Sequence, residues 1–146
     1  MPPWVTAGYQ EFAKRLPLEC RLELVEINPG KRGKGADIQR AMRDEGESML
    51  AAIPKDSYVI ALDVLGKDWS TEQLSVEIKN WLQGGRDISL LVGGPDGLAE
   101  NCLTRADRAW SLSKLTLPHA MVRIVLTEQI YRAWSLLNKH PYHRAG

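Results

Sequence analysis

Ile88-Ser89-Leu90-Leu91-Val92 is an apolar run of strand length that passes directly into Gly93-Gly94-Pro95-Asp96-Gly97 and from there into helical spacing at Leu98, Cys102 and Ala106. A strand that feeds a helix through a glycine turn is half of a βαβ unit, and such units build parallel sheets with helices packed over them. Glycine at the carboxyl end of a strand also lets a ligand approach the backbone, because no side chain stands in its way.

The rest of the chain repeats this alternation. Val5, Tyr9, Phe12 and Leu16 share one helical face, and Pro17 closes that helix. Arg21–Ile27 alternates in Leu, Val and Ile and predicts a strand. Asn28–Gly35 is a glycine- and lysine-rich loop. Ile38, Met42, Met49 and Ile53 predict a second helix stopped by Pro54. Tyr58–Leu62 predicts a short buried strand ending at Asp63. Ser70 with Gln73 predicts a capping box opening a helix whose inner face is Leu74, Ile78 and Trp81/Leu82. Trp110–His119 is expected to be a second loop, unusually apolar at Ser113–Pro118, and Val122, Val125, Ile130, Ala133 and Leu137 mark the last helix. The expected fold is α/β, a mainly parallel sheet with helices on both faces, formed by residues 1–146 as one domain.

With 146 residues, 44% of them hydrophobic and 25% charged, the chain can bury a core without disulfides or a metal. Cys20 and Cys102 lack CxxC spacing and read as buried or half-buried thiols in a reducing compartment. No apolar run approaches a membrane span, and Met1-Pro2-Pro3-Trp4 has no signal-peptide pattern. A cytoplasmic protein with no membrane partner is expected.

The net charge of +1 conceals an asymmetry. Residues 28–43 carry Lys31, Arg32, Lys34, Arg40 and Arg43 against Asp37, a net of +4, and residues 119–146 carry a net of +3. Residues 44–118 are net −5. Two basic segments on an acidic body point to a localised polyanion site, and equally fit a solvated loop and an ordinary helix face.

Several motifs are excluded by spacing. Gly30–Gly35 lacks the Gly-Lys-Ser/Thr of a phosphate loop, no GxGxxG opens a helix, and no serine sits in a GxSxG elbow. His140 and His143 have HxxH spacing without a third ligand nearby, so no metal is expected.

The ordered set Leu91–Leu98, Trp110–Ser113, Leu115–His119, Val122-Arg123, Glu128–Trp134 and His140–His143, with Lys31–Lys34, Ala36–Ile38 and Glu45–Glu47 upstream, resembles the RlmH family, small knotted methyltransferases of the SPOUT superfamily. The resemblance implies an α/β sheet with a C-terminal trefoil knot. It also implies methyl transfer from S-adenosylmethionine to N3 of a pseudouridine in 23S ribosomal RNA, by a cytoplasmic homodimer acting on the assembled ribosome. Mapped onto this chain, the cofactor residues are Leu62, Gly94, Ser113, Lys114, Leu115, Thr116, Leu117 and Pro118. Members of the family begin with a further strand and a glycine-containing turn ahead of the counterpart of Met1–Trp4. This chain is N-terminally shortened by comparison: either its start is placed too late or the first strand is missing, and in the second case an unpaired gap or edge in the sheet is expected.

The acceptor nitrogen must lose a proton before or during attack. His143 and Tyr142 are both candidate bases, and Arg144, Arg123 or Arg132 could stabilise charge on the ring or hold flanking phosphates. Glu128 and Arg132 at i,i+4 also fit a helix ion pair. Lys31, Arg32 and Lys34 are expected to contact RNA, and Trp134 and Val125 to face a second copy. That pairing would let the Lys31–Lys34 loop of one subunit face the tail of the other. A non-catalytic RNA-binding α/β module explains the basic segments but not Ser113–Pro118. A small α/β enzyme using a phosphorylated ligand explains Gly93–Gly97 alone.

Overall fold

The computed structural model describes residues 1–29 and 37–143. Along the chain run α1 (Pro3–Ala13), a 3₁₀ turn (Leu18–Cys20), α2 (Ile38–Ala52), β1 (Tyr58–Asp68), α3 (Thr71–Gly84), β2 (Ile88–Leu91), α4 (Glu100–Arg105), β3 (Arg108–Ser111) and α5 (His119–Leu137). The three strands form one sheet in the order β2-β1-β3. β1 and β2 run parallel, with Tyr58 opposite Ile88 and Ala61 opposite Leu91. Strands interleaved with helices give the expected α/β class.

The contacts fall into two compact units. The first comprises Met1–Glu23, Asp68–Arg86 and Ala120–Gly146. Its core gathers Val5 and Tyr9 of α1, Leu74 and Ile78 of α3, and Leu126, Ile130, Tyr131 and Ala133 of α5. Two buried hydroxyls in α5 are satisfied within the helix, Thr127 donating to the Arg123 carbonyl and Ser135 to the Arg132 carbonyl, each at 2.7 Å. Ser70 and Gln73 form the expected capping box, and Gly85 ends α3 in the left-handed conformation. Thr71 Oγ1 donates to Gln129 Oε1 at 2.9 Å, tying the first turn of α3 to α5.

The second unit comprises Leu24–Lys67 and Asp87–His119. Val59, Leu91 and Cys102 form its core, with Met49, Leu50, Ile53, Leu98 and Ala106 packed around them. Val59, Ile60 and Ala61 are buried in succession, so this stretch of β1 is covered on both faces, as a parallel strand requires. Asp37 caps α2 by accepting from Gln39 N and Arg40 N.

Four expectations need correction. Arg21–Ile27 carries no strand, since its alternation meets no neighbouring ladder and leaves Val25 59% exposed. β1 does not end at Asp63 but runs to Asp68. Gly66 makes this extension possible, because a Cβ there would lie 2.6 Å from the Ala109 carbonyl carbon and 2.7 Å from Trp110 N. Trp110 and Ser111, read as the start of a loop, close β3 (Arg108–Ser111). Its entry is anchored to β1 by Asp107 N donating to Val59 O (2.8 Å) and Val59 N donating to Asp107 Oδ2 (2.9 Å). His119 opens α5 rather than closing the loop.

Candidate functional site

In the second unit, the parallel register places Leu62 one residue beyond the Ala61–Leu91 pair, level with the point where β2 gives way to the glycine turn. Leu62 is half-buried in mid-strand. The turn is closed by Gly97 N donating to Gly94 O at 3.0 Å, with Gly97 at φ 84. Gly93 is required by the turn itself, because a Cβ there would meet Gly97 C at 2.6 Å and Leu98 N at 2.8 Å. Gly94 is different. Among the described residues its one neighbour in that direction is Glu45 Oε2, 3.5 Å away.

A shallow hollow opens beside Gly94, walled by Met42, Glu45, Gly46 and Met49 of α2 and by Leu98 and Cys102. The contribution of α2 is a feature that spacing alone did not reveal, although Glu45-Gly46-Glu47 is part of the resemblance. Gly46 lets the two helices approach, since a Cβ there would sit 2.3 Å from Asn101 Oδ1. Burial pushes the Cys102 thiol up, so it lines the hollow as an apolar group.

After β3, Ser111 Oγ donates to Ser113 O (2.8 Å) and Leu115 N donates to Ser113 Oγ (2.9 Å). These bonds fold the Ser113–Pro118 segment so that Lys114, Leu115, Thr116 and Pro118 face outward, with Leu115 72% exposed and Leu117 half-buried. Gly94 thus leaves its Cα open beside the Glu45 carboxylate, and the Ser113–Pro118 segment presents exposed apolar side chains.

In the first unit, the C-terminal tail is held by a helix cap. His140 N donates to Ser135 O at 2.7 Å and Lys139 N to Leu136 O at 3.2 Å, with Lys139 at φ 57. This is the Schellman arrangement with lysine in the position that favours glycine. The His140 ring then lies 6.2 Å from that of Tyr131 and 6.4 Å from that of Trp134.

Beyond the cap, Tyr142 and His143 come together with α5. Tyr142 OH donates to Glu128 Oε1 at 3.1 Å, and the Arg132 guanidinium stands 4.8 Å from the Tyr142 ring centroid. Arg132 also donates through Nε (2.7 Å) and pairs through Nη2 (2.6 Å) with Glu128 Oε1. The i,i+4 pair is therefore formed, and it is part of the tail's seat. Glu128 holds the Arg132 guanidinium in its charged form by raising its pKa. Burial, and then the Glu128 charge, push the Tyr142 phenol up, which keeps it protonated and suits it to donating. Arg15 of the first unit lies 5.6 Å from the Tyr131 ring centroid and 6.0 Å from that of Tyr142.

His143 is 12% exposed in its side chain. Its Nδ1 is 3.4 Å from Arg132 Nη1, and its Nε2 is 3.5 Å from Glu72 Oε1. That Nε2 is buried without a well-aligned hydrogen bond. Glu72, in the first turn of α3, has its carboxyl held below the ordinary value, first by its own backbone N–H and then by His143. Sequence reading missed Glu72 and Arg15, which no local spacing connects to residues 142 and 143.

Arg123 is half-buried, nine residues before Arg132 on α5. Lys31, Arg32, Lys34 and Arg144 lie outside the described residues. Among the described residues no three His, Cys, Asp or Glu side chains converge as a metal site, and no helix is long and apolar enough to cross a membrane.

A family model described as "Predicted SPOUT methyltransferase" matches residues 1–143. The chain is 62% identical over 144 residues to the ribosomal RNA large subunit methyltransferase H of Marinomonas sp. (strain MWYL1), covering 99% of this chain and 93% of that one. It is 58% identical over 144 residues to the protein of the same name in Methylococcus capsulatus (strain ATCC 33009 / NCIMB 11132 / Bath), with the same coverage. With nearly its whole length matched in order, the chain belongs to the SPOUT methyltransferase family.

Proposed function

We propose that this protein transfers a methyl group from S-adenosylmethionine to N3 of a pseudouridine in 23S ribosomal RNA on the assembled ribosome. The observation that carries this reading is 62% identity across 99% of the chain to a protein named as a ribosomal RNA large subunit methyltransferase. The same relationship supports one SPOUT domain over 1–146 with the family's C-terminal knot, working in the cytoplasm as a homodimer paired through α5 near Val125 and Trp134.

Leu62, Gly94 and Ser113–Pro118 hold the donor. Open backbone at Gly94 admits the ligand, the exposed loop seats the adenine ring, and the Glu45 carboxylate favours its positive charge. When bound, S-adenosylmethionine supplies an electrophilic methyl group on a sulfonium, so correct placement of the acceptor nitrogen provides much of the rate. Tyr142, His143 and Arg144 serve the acceptor. With its phenol kept protonated, Tyr142 donates a hydrogen bond, His143 takes the N3 proton, and cationic side chains offset the charge left on the ring. Lys31, Arg32, Lys34 and Arg123 contact RNA phosphates, and recognition is by shape more than by base sequence.

The test is to incubate the purified protein with unmodified ribosomes and methyl-labelled S-adenosylmethionine, then analyse the ribosomal nucleosides by mass spectrometry. Labelled N3-methylpseudouridine is expected. Ribosome binding without label transfer would instead support the RNA-binding module and overturn this reading.

A further inference from the structure

The contacts around the tail close into a ring. Thr71 of α3 donates to Gln129 of α5 at 2.9 Å, and Gln129 Nε2 donates to Glu128 Oε2 at 2.8 Å. Glu128 holds Arg132, Arg132 reaches His143 Nδ1, and His143 Nε2 returns to Glu72, the residue after Thr71. The ring begins and ends on a turn fixed by the Ser70–Gln73 capping box, in which Gln73 N donates to Ser70 Oγ (3.0 Å) and Ser70 N to Gln73 Oε1 (2.8 Å). A side chain on this turn is thus placed against the last described residue of the chain.

The imidazole sits between opposite charges. Arginine can only donate, so its contact at Nδ1 leaves that nitrogen without hydrogen, and the ring's hydrogen lies on Nε2, facing a carboxylate. We propose that Glu72 is a positioning residue of the acceptor site: together with Arg132 it holds His143 in the tautomer whose Nδ1 is ready to take a proton. The inference rests on the methyltransferase reading given above. In that reaction the N3 proton passes to Nδ1, the N–H electron pair stays on N3 and forms the bond to the methyl carbon, and the carbon–sulfur bond of the sulfonium breaks with its pair left on sulfur as a neutral thioether. The Arg132 contact at 3.4 Å is the one that the incoming N3–H replaces. The imidazolium so formed faces the Glu72 carboxylate across Nε2 until it releases its proton to water.

Glu72 has a 62% exposed side chain, so its replacement leaves the fold intact. In Glu72→Ala, kcat on unmodified ribosomes should fall about tenfold or more, the scale on which an orienting partner acts, while S-adenosylmethionine affinity and ribosome KM stay within about twofold. Glu72→Gln, which keeps an acceptor oxygen, should recover part of the loss. Independently of turnover, ¹⁵N spectra of ring-labelled protein should show His143 as the Nε2–H tautomer in the parent and as a mixture in Glu72→Ala. A parent kcat in Glu72→Ala, or unchanged ring-nitrogen shifts, would overturn the proposal. A parent protein that methylates nothing would overturn the reading beneath it, and the spectra would still report on the Glu72–His143 contact.

Discussion

At Gly66 an added Cβ would lie 2.6 Å from backbone, and backbone within a sheet cannot step aside. At Gly94 the same atom would stand 3.5 Å from the end of the Glu45 side chain, an ordinary contact. Gly66→Ala should therefore cost about 2 kcal/mol or more, in the range of core overpacking, measured by urea unfolding. Gly94→Ala should unfold at the parent's urea concentration and yet bind S-adenosylmethionine at least several-fold more weakly by calorimetry, because the methyl intrudes on the ligand's space. Parent affinity in a folded Gly94→Ala would move the donor site elsewhere. Cys20 offers a further check at this scale. Burial pushes its thiol up to about 11, so alkylation at neutral pH should be far slower than for a free thiol.

Among the elements, α3 was the most legible, since Ser70 and Gln73 announce its start and Leu74 and Ile78 its buried face. Ser70→Ala should cost about 1 kcal/mol, the usual loss for an N-cap. Because the same turn carries Thr71 and Glu72, hydrogen exchange at Tyr142 and His143 should also speed up. An effect confined to α3 would mean that the tail does not depend on that turn. The strands were harder to read. β3 has four residues, too few for periodicity to register, and its anchor comes from Asp107 meeting Val59 across the sheet. Arg21–Ile27 has a better strand pattern than β3 but no ladder, which shows that alternation describes a face and not a partner. The sites divide in the same way. Gly94 and Tyr142–His143 stand in local motifs, whereas Glu45, present in the sequence only as part of the family pattern, and Glu72, which no motif singled out, meet them through folding, from helices 49 and 70 residues earlier in the chain.

For the molecule as a whole, ribosome affinity should fall steeply with salt, because basic segments on an acidic body bind by releasing counterions. Charge reversal at Lys31 and Lys34 should flatten that dependence and leave calorimetric S-adenosylmethionine binding unchanged. Equal loss of both would argue against separate donor and RNA surfaces. Acid stability has a specific source in the first unit. Arg15 and then Lys14 hold the Glu11 carboxyl below its ordinary 4.5, and Glu72 is likewise held low, chiefly by its own backbone N–H. Both contributions are complete above the unfolded value and are lost as pH falls through the lower folded values. The double variant Glu11→Gln/Glu72→Gln should therefore show a smaller drop in melting temperature on acidification than the parent.

The helix cap at Lys139 has a consequence for timing. A chain end normally has to be ordered each time a ligand arrives, at a cost of about 1–2 kcal/mol per residue. Here the bonds from Lys139 and His140 back to Leu136 and Ser135 set the direction in which the chain enters Pro141, Tyr142 and His143. With these residues already directed by the cap, rapid mixing with ribosomes should show a single concentration-dependent phase, with no slower step for tail closure. Lys139→Gly would relieve the left-handed strain and stabilise the fold by up to about 1 kcal/mol. It should leave that single phase in place, whereas Lys139→Pro, which removes the N–H bonded to Leu136, should add a slow one.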